Sequence, residues 1–173
     1  MAISTPPTGV SNAELIRWAF DRLSAHDIAS LKGTVWDENT VLRLPDRTCR
    51  GAEEIGAYFD EVMGAVDGFR IEIVALAEQD DTVFVQWKIT GTHTGRVFGL
   101  EPTGKPLDVD GMDNFKIREG TVASNFVVFD QMQFARAIGL LPPDGSAADR
   151  GLKAAFNARL KLAKKLQERR STS

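Results

Sequence analysis

The spacing of apolar positions is helical in the first third of the chain and strand-like after it. Leu15, Trp18, Ala19 and Leu23 recur at helical spacing. Ser11 followed by Glu14 is a capping-box pattern, so a first helix is predicted from Ser11 to about Ala25. His26-Asp27 opens a shorter second helix through Leu31 toward Val35, and Thr40 to Leu44 reads as a short strand stopped by Pro45. A third helix follows Gly51, with Ile55, Tyr58, Phe59, Val62 and Met63 on one face. Its early acids Glu53 and Glu54 suit the positive end of a helix dipole.

From Phe69 the period becomes two. Phe69, Ile71, Ile73 and Ala75 alternate with Arg70, Glu72 and Val74, and Asp80-Asp81 turns the chain into Val83, Val85, Trp87 and Ile89. Four glycines and two prolines between Gly91 and Pro106 then shape a loop around Gly91-Thr92-His93-Thr94-Gly95. Val109, Gly111, Asp113, Phe115 and Ile117 share a face of the next strand. After Arg118-Glu119-Gly120, the last strand is assigned Val122, Ser124, Phe126, Val128 and Asp130 on one face. Gln131 to Ile138 reads as a short helix closed by Gly139 and Pro142-Pro143. Helices followed by a strand meander predict an α+β fold, with helices on one face of an antiparallel sheet. If that sheet curves strongly, helped by Gly111, sheet and N-terminal helices enclose a cone-shaped pocket.

The ends differ from this body. Met1 to Val10 is aperiodic and reads as a flexible leader, followed by one domain over 11–142. Residues 143–173 read as a linker and a basic amphipathic helix, with Leu152, Phe156, Leu160, Ala163 and Leu166 on its stripe. From Ala147 onward eight lysines and arginines face two acids, a local +6; the total of −3 therefore leaves −9 on everything before it. An acidic body argues against nucleic-acid binding. The opposite charges of tail and body favour docking of the helix on the body or on a second subunit, over a membrane surface or a partner helix.

At 173 residues, 43% hydrophobic and 26% charged, the chain has the balance of a globular domain with a sizeable core. One cysteine, Cys49, excludes an internal disulfide and a cysteine-rich metal site. No apolar run reaches membrane-span length and the N-terminus lacks a secretory layout, so a cytoplasmic protein is expected.

Asp130 and Asp113 stand out as acids placed by alternation among Phe and Val, where desolvation raises a carboxyl pKa toward neutrality and suits it to acid–base chemistry. Directly before a helix, Asp130 also fits an N-cap. His93 is a candidate to orient a carbonyl or share a proton. Tyr58, the only tyrosine, is either core or a donor to an oxyanion. Trp87, Trp18, Phe115 and Phe126 are expected as pocket walls. With His26 the only other histidine, a metal site is not expected.

The run Val85-Gln86-Trp87, Gly91-Thr92-His93-Thr94-Gly95, Phe98-Gly99, Pro102-Thr103-Gly104-Lys105, with Asp130 and Ile138-Gly139-Leu140, resembles the SnoaL-like polyketide cyclases of the nuclear-transport-factor and ketosteroid-isomerase cone fold. The likeness covers about Glu14 to Pro142. It implies that Asp130 is the acid/base, that His93 is the pocket histidine, and that no cofactor or metal is needed. It further implies a hydrophobic small-molecule ligand and a homodimer formed through the outer sheet face. In such cyclases an aspartate removes an acidic proton beside a carbonyl or ester, and the enolate closes a ring by aldol attack. Ser124 and Phe126 stand where the family usually has Glu and Trp, and Arg118-Glu119-Gly120-Thr121 replaces its usual turn. The same cone also serves isomerases, dehydratases, epoxide hydrolases and non-catalytic binding or dimerising modules.

Overall fold

The computed structural model describes residues 9–171. In chain order its elements are α1 (Asn12–Ser24), α2 (Ile28–Leu31), β1 (Val41–Arg43), β2 (Thr48–Arg50), α3 (Gly51–Gly64), β3 (Val66–Gln79), β4 (Thr82–His93), β5 (Pro106–Arg118), β6 (Thr121–Phe129), α4 (Gln131–Ala137) and α5 (Ala147–Ser171). Residues 1–8 of the expected leader lie outside the described residues.

The capping box forms as its sequence dictates: Glu14 N donates to the Ser11 side chain, and Ser11 N donates to the Glu14 carboxylate. Leu15, Ile16, Ala19, Phe20 and Leu23 then bury one face of α1. The second helix is shorter than its pattern suggests. Asp27 caps it by accepting from Ser30 N at 3.2 Å, and Gly33, at φ +73°, turns the chain out of it. Strand β2 carries too little periodicity to be seen in the sequence, yet it pairs with β1 through Leu42 opposite Cys49.

Six strands form one open, curved sheet in the order β2-β1-β6-β5-β4-β3. All neighbours are antiparallel except β1 and β6, which run parallel. The helices cover the concave face, where Phe69, Val85, Trp87, Phe115 and Val127 join Ile16, Leu31 and Ile55 in a single core.

Of three register shifts in the sheet, the first lies at Asp67–Arg70, and the other two change which side chains of the strands read from the sequence face that core. Between β3 and β4 the register jumps from Ile73 opposite Trp87 to Ala75 opposite Gln86. Val74 and Ala75 therefore both point outward, and Leu76 takes the inward place expected of Ala75. Between β5 and β6 it jumps from Lys116 opposite Ser124 to Ile117 opposite Val122. Ala123 is the extra residue, and one extra residue reverses every later side chain. Asn125, Val127 and Phe129 consequently face inward, while Phe126 and Val128 are exposed. The single inward face assigned to Ser124, Phe126, Val128 and Asp130 is thereby corrected.

Helix α5 is anchored at its start, where Asp149 is buried and bonds to Lys153 Nζ and Gly145 N. Beyond that, Leu152, Phe156, Leu160 and Leu162 remain more than half exposed, so α5 does not dock on its own acidic body as its charge suggested.

Candidate functional site

The core of the cone is not filled. A cavity of about 120 Å³ lies between the concave sheet and α1 and α3, walled by Phe20, Trp36, Tyr58, Phe59, Trp87 and Phe115 among others. Its lining is overwhelmingly apolar; the hydroxyls of Thr40 and Tyr58, the Trp87 indole nitrogen, the Asp113 carboxyl and the Asn125 amide are its polar groups.

Asp113 reaches the cavity because the alternation of β5 is unbroken: Val109, Gly111, Asp113, Phe115 and Ile117 are all buried, and the residues between them, Asp110, Met112, Asn114 and Lys116, face the other way. It sits opposite Val85 on β4 and Val127 on β6. Trp87 lies opposite Gly111, and a Cβ on Gly111 would collide with the Trp87 ring. A glycine here therefore lets the indole lie across β5 and face the same space as Asp113. Asn125 arrives from β6, turned inward by the bulge.

These three residues hold buried polar atoms without hydrogen-bond partners: Asp113 Oδ1, Trp87 Nε1 and Asn125 Oδ1. Trp87 and Asn125 still face Asp113 closely enough to interact with its carboxyl. Buried polar groups are normally fully paired, so three groups whose mutual contacts fall short of full hydrogen bonds keep capacity to meet a polar ligand atom. Burial among apolar side chains pushes the Asp113 carboxyl up to about 7, with Trp87 and Asn125 offsetting part of the rise. Near neutrality it is thus poised to accept or donate a proton. The Tyr58 hydroxyl is held above its ordinary value, first by burial and then by Asp46, Cys49 and Asp113, against the opposing charge of Arg47.

The other residues expected at the site are placed elsewhere. Asp130 is exposed and caps α4, its carboxylate accepting from Gln133 N at 2.8 Å. His93 is fully buried but does not line the cavity. Its Nδ1 lies 3.2 Å from Thr103 Oγ1, and its backbone bonds to Lys105 O and Gly104 N, so it ties β4 to the glycine-rich loop. Phe126 lies on the outer face beneath Arg43, whose guanidinium is 5.1 Å from the ring centroid. Trp18 packs half-buried against the core from α1, outside the cavity lining, with Arg22 over its ring. Trp87, Tyr58 and Phe115 do line the cavity, together with Asn125, which no sequence signal singled out, and Phe98, which the sequence offered only as part of the family-like run and not as a wall.

Among the described residues no group of three His, Cys, Asp or Glu is placed to hold a metal ion, and no helix is long and apolar enough to cross a membrane.

Comparison with known proteins agrees with this architecture. Residues 13–138 match the family described as SnoaL-like polyketide cyclase. Among solved structures, AclR from Streptomyces galilaeus, proposed to be a hydroxylase, is 19% identical with a TM-score of 0.63, covering 86% of this chain and 89% of its own. IdmH from Streptomyces antibioticus, proposed to be a polyketide cyclase, is 16% identical with a TM-score of 0.62, covering 72% and 95%. A protein from Catenulispora acidiphila with a ketosteroid isomerase-like fold, solved with trimethylamine, is 15% identical with a TM-score of 0.64, covering 79% and 99%. At these identities the likeness shows the fold. No curated protein matches the sequence.

Proposed function

Because the chain belongs to the SnoaL-like polyketide cyclase family, we propose that it moves a proton on a hydrophobic carbonyl or ester substrate held in the cone, in the manner of an aldol cyclisation and without a cofactor. The observation that carries this reading is Asp113: a carboxyl buried in the cavity, with a pKa of about 7, faced by the Trp87 and Asn125 side chains. At pH 7 about half of such a carboxyl is ionised, so it can take an acidic proton from the carbon beside a carbonyl and return it to the product oxygen. Trp87 Nε1 and the Tyr58 hydroxyl are the donors available to the enolate oxygen as charge develops there. The apolar walls fold the chain of the substrate so that the enolate meets its own second carbonyl. In this reading Asp130 and His93 support the site by holding α4 and the glycine-rich loop.

Exchange of an acidic C–H tests the proposal without knowledge of the natural substrate. An aromatic β-keto ester in D₂O should lose its α-proton NMR signal faster with the protein present. Asp113→Asn should lower that enzymatic rate roughly 10²–10⁴-fold. A variant that exchanges as fast as wild type would place the chemistry on another group.

A second reading, an isomerase on the same cone, is favoured by Tyr58 lining the cavity that holds the buried acid. It differs in outcome only after the enolate forms, since the proton returns to a different carbon.

We further propose a cytoplasmic homodimer formed through the outer sheet face. Met112 and Val128 are direct cross-strand neighbours there, and with Phe84 and Phe126 they leave an apolar patch exposed.

A further inference from the structure

Phe98 sits in a backbone conformation that phenylalanine does not favour. Val97 N donates to Leu100 O at 3.2 Å and Leu100 N donates to Val97 O at 2.8 Å, closing a two-residue turn. The central residues Phe98 and Gly99 have φ of +52° and +76°. That is the turn for which Asn-Gly is the preferred pair, because both residues must take the left-handed region. A bulky side chain there is an outlier, and such outliers persist where the surroundings over-determine them.

The surroundings of Phe98 say what holds it. Its ring lies 6.1 Å from Tyr58, nearly parallel, and 6.4 Å edge-on from Phe134. It thus bridges α3 and α4. All three rings line the cavity and keep some solvent exposure. Arg47 covers the outside of the ring, with its guanidinium 5.2 Å from the Phe98 centroid and 5.8 Å from that of Tyr58. Glu61 ties the closure together, accepting from Phe98 N at 3.3 Å and pairing with Arg47 at 3.8 Å. An unfavoured turn, an aromatic plug and a charged latch thus meet at one residue.

We infer that Phe98 is the gate of the cavity, its ring closing the mouth between Tyr58 and Phe134 and setting the size of ligand admitted. The closed turn is disfavoured locally and held by ring contacts and the Glu61–Arg47 latch. An apolar ligand that replaces those ring contacts lets the turn relax outward. The inference rests on reading the cavity as a ligand site, but not on Asp113 being its base.

Entry of apolar fluorescent probes tests the gate. Stopped-flow association of 1-anilinonaphthalene-8-sulfonate, and of its larger dimeric form, is compared in wild type, Phe98→Asn and Glu61→Gln. Asn suits the turn, so Phe98→Asn should melt no lower than wild type while association accelerates tenfold or more, most for the larger probe. Glu61→Gln keeps the ring but loosens the latch and should accelerate entry a few-fold; it also decides the matter if Phe98→Asn fails to fold. Unchanged entry rates in the folded variants would overturn the gate while leaving the cavity as a ligand site. If neither probe binds any of the three proteins, the ligand site and the gate are overturned together. A loss of proton exchange in Asp113→Asn with unchanged probe entry would separate the gate from the catalytic reading.

Discussion

At the scale of residues, the choice between two aspartates is decided by where each carboxyl spends its hydrogen-bonding capacity. Asp130 accepts from a helix amide and faces solvent; Asp113 is 8% exposed, and its Oδ1 has no partner. Replacing Asp130 by Ala should therefore cost about 0.5–2 kcal/mol of stability, the usual worth of an N-cap, and leave proton exchange close to wild type. Chemical denaturation and the exchange assay check the two halves. Asp113→Asn should behave in the opposite way. The Asp113 pKa is raised from 3.8 to about 7, so between those pH values the folded chain binds more protons than the unfolded one. Stability from this group therefore falls as pH rises from about 4 through about 7, with a limiting slope of about 1.4 kcal/mol per pH unit. Thermal melts at pH 5 and pH 8 should show Asp113→Asn gaining on wild type at the higher pH. No gain would mean that the ionised carboxylate is stabilised in the fold.

At the scale of elements, what could be read from the sequence depended on whether a strand kept its period. β5 alternates without interruption, so Asp113 and Phe115 were legible as inward residues from the pattern alone. β6 was not. The extra residue at Ala123 leaves no mark in composition, yet it reverses the strand and exchanges Phe126 and Val128 for Asn125 and Val127. The same geometry takes Asp130 away from the inward series, leaving the N-cap role that its place before α4 also suggested. The gate was hidden for a related reason. Phe-Gly is not a hairpin signal, and the left-handed conformation of Phe98 follows from contacts with Tyr58 and Phe134, far away in sequence. The capping box of α1 was legible because it is wholly local.

At the scale of the whole molecule, the concave side of the sheet is used by the core and the convex side is left with an apolar patch. Phe84, Met112, Phe126 and Val128 are each roughly half exposed, and α5 carries a second apolar stripe that its own body does not cover. If the sheet face joins two copies, Met112→Glu should shift sedimentation from dimer to monomer at micromolar concentration while the thermal transition is kept. A dimer that survives the substitution would place the interface elsewhere. The cavity lies on the concave side of the sheet, away from that patch. The central claim therefore rests on one group in one cavity, and a carbon-detected NMR titration of the Asp113 carboxyl tests it most directly. A midpoint near 7 is the predicted result; a midpoint near 4, the value of an ordinary solvated aspartate, would contradict it.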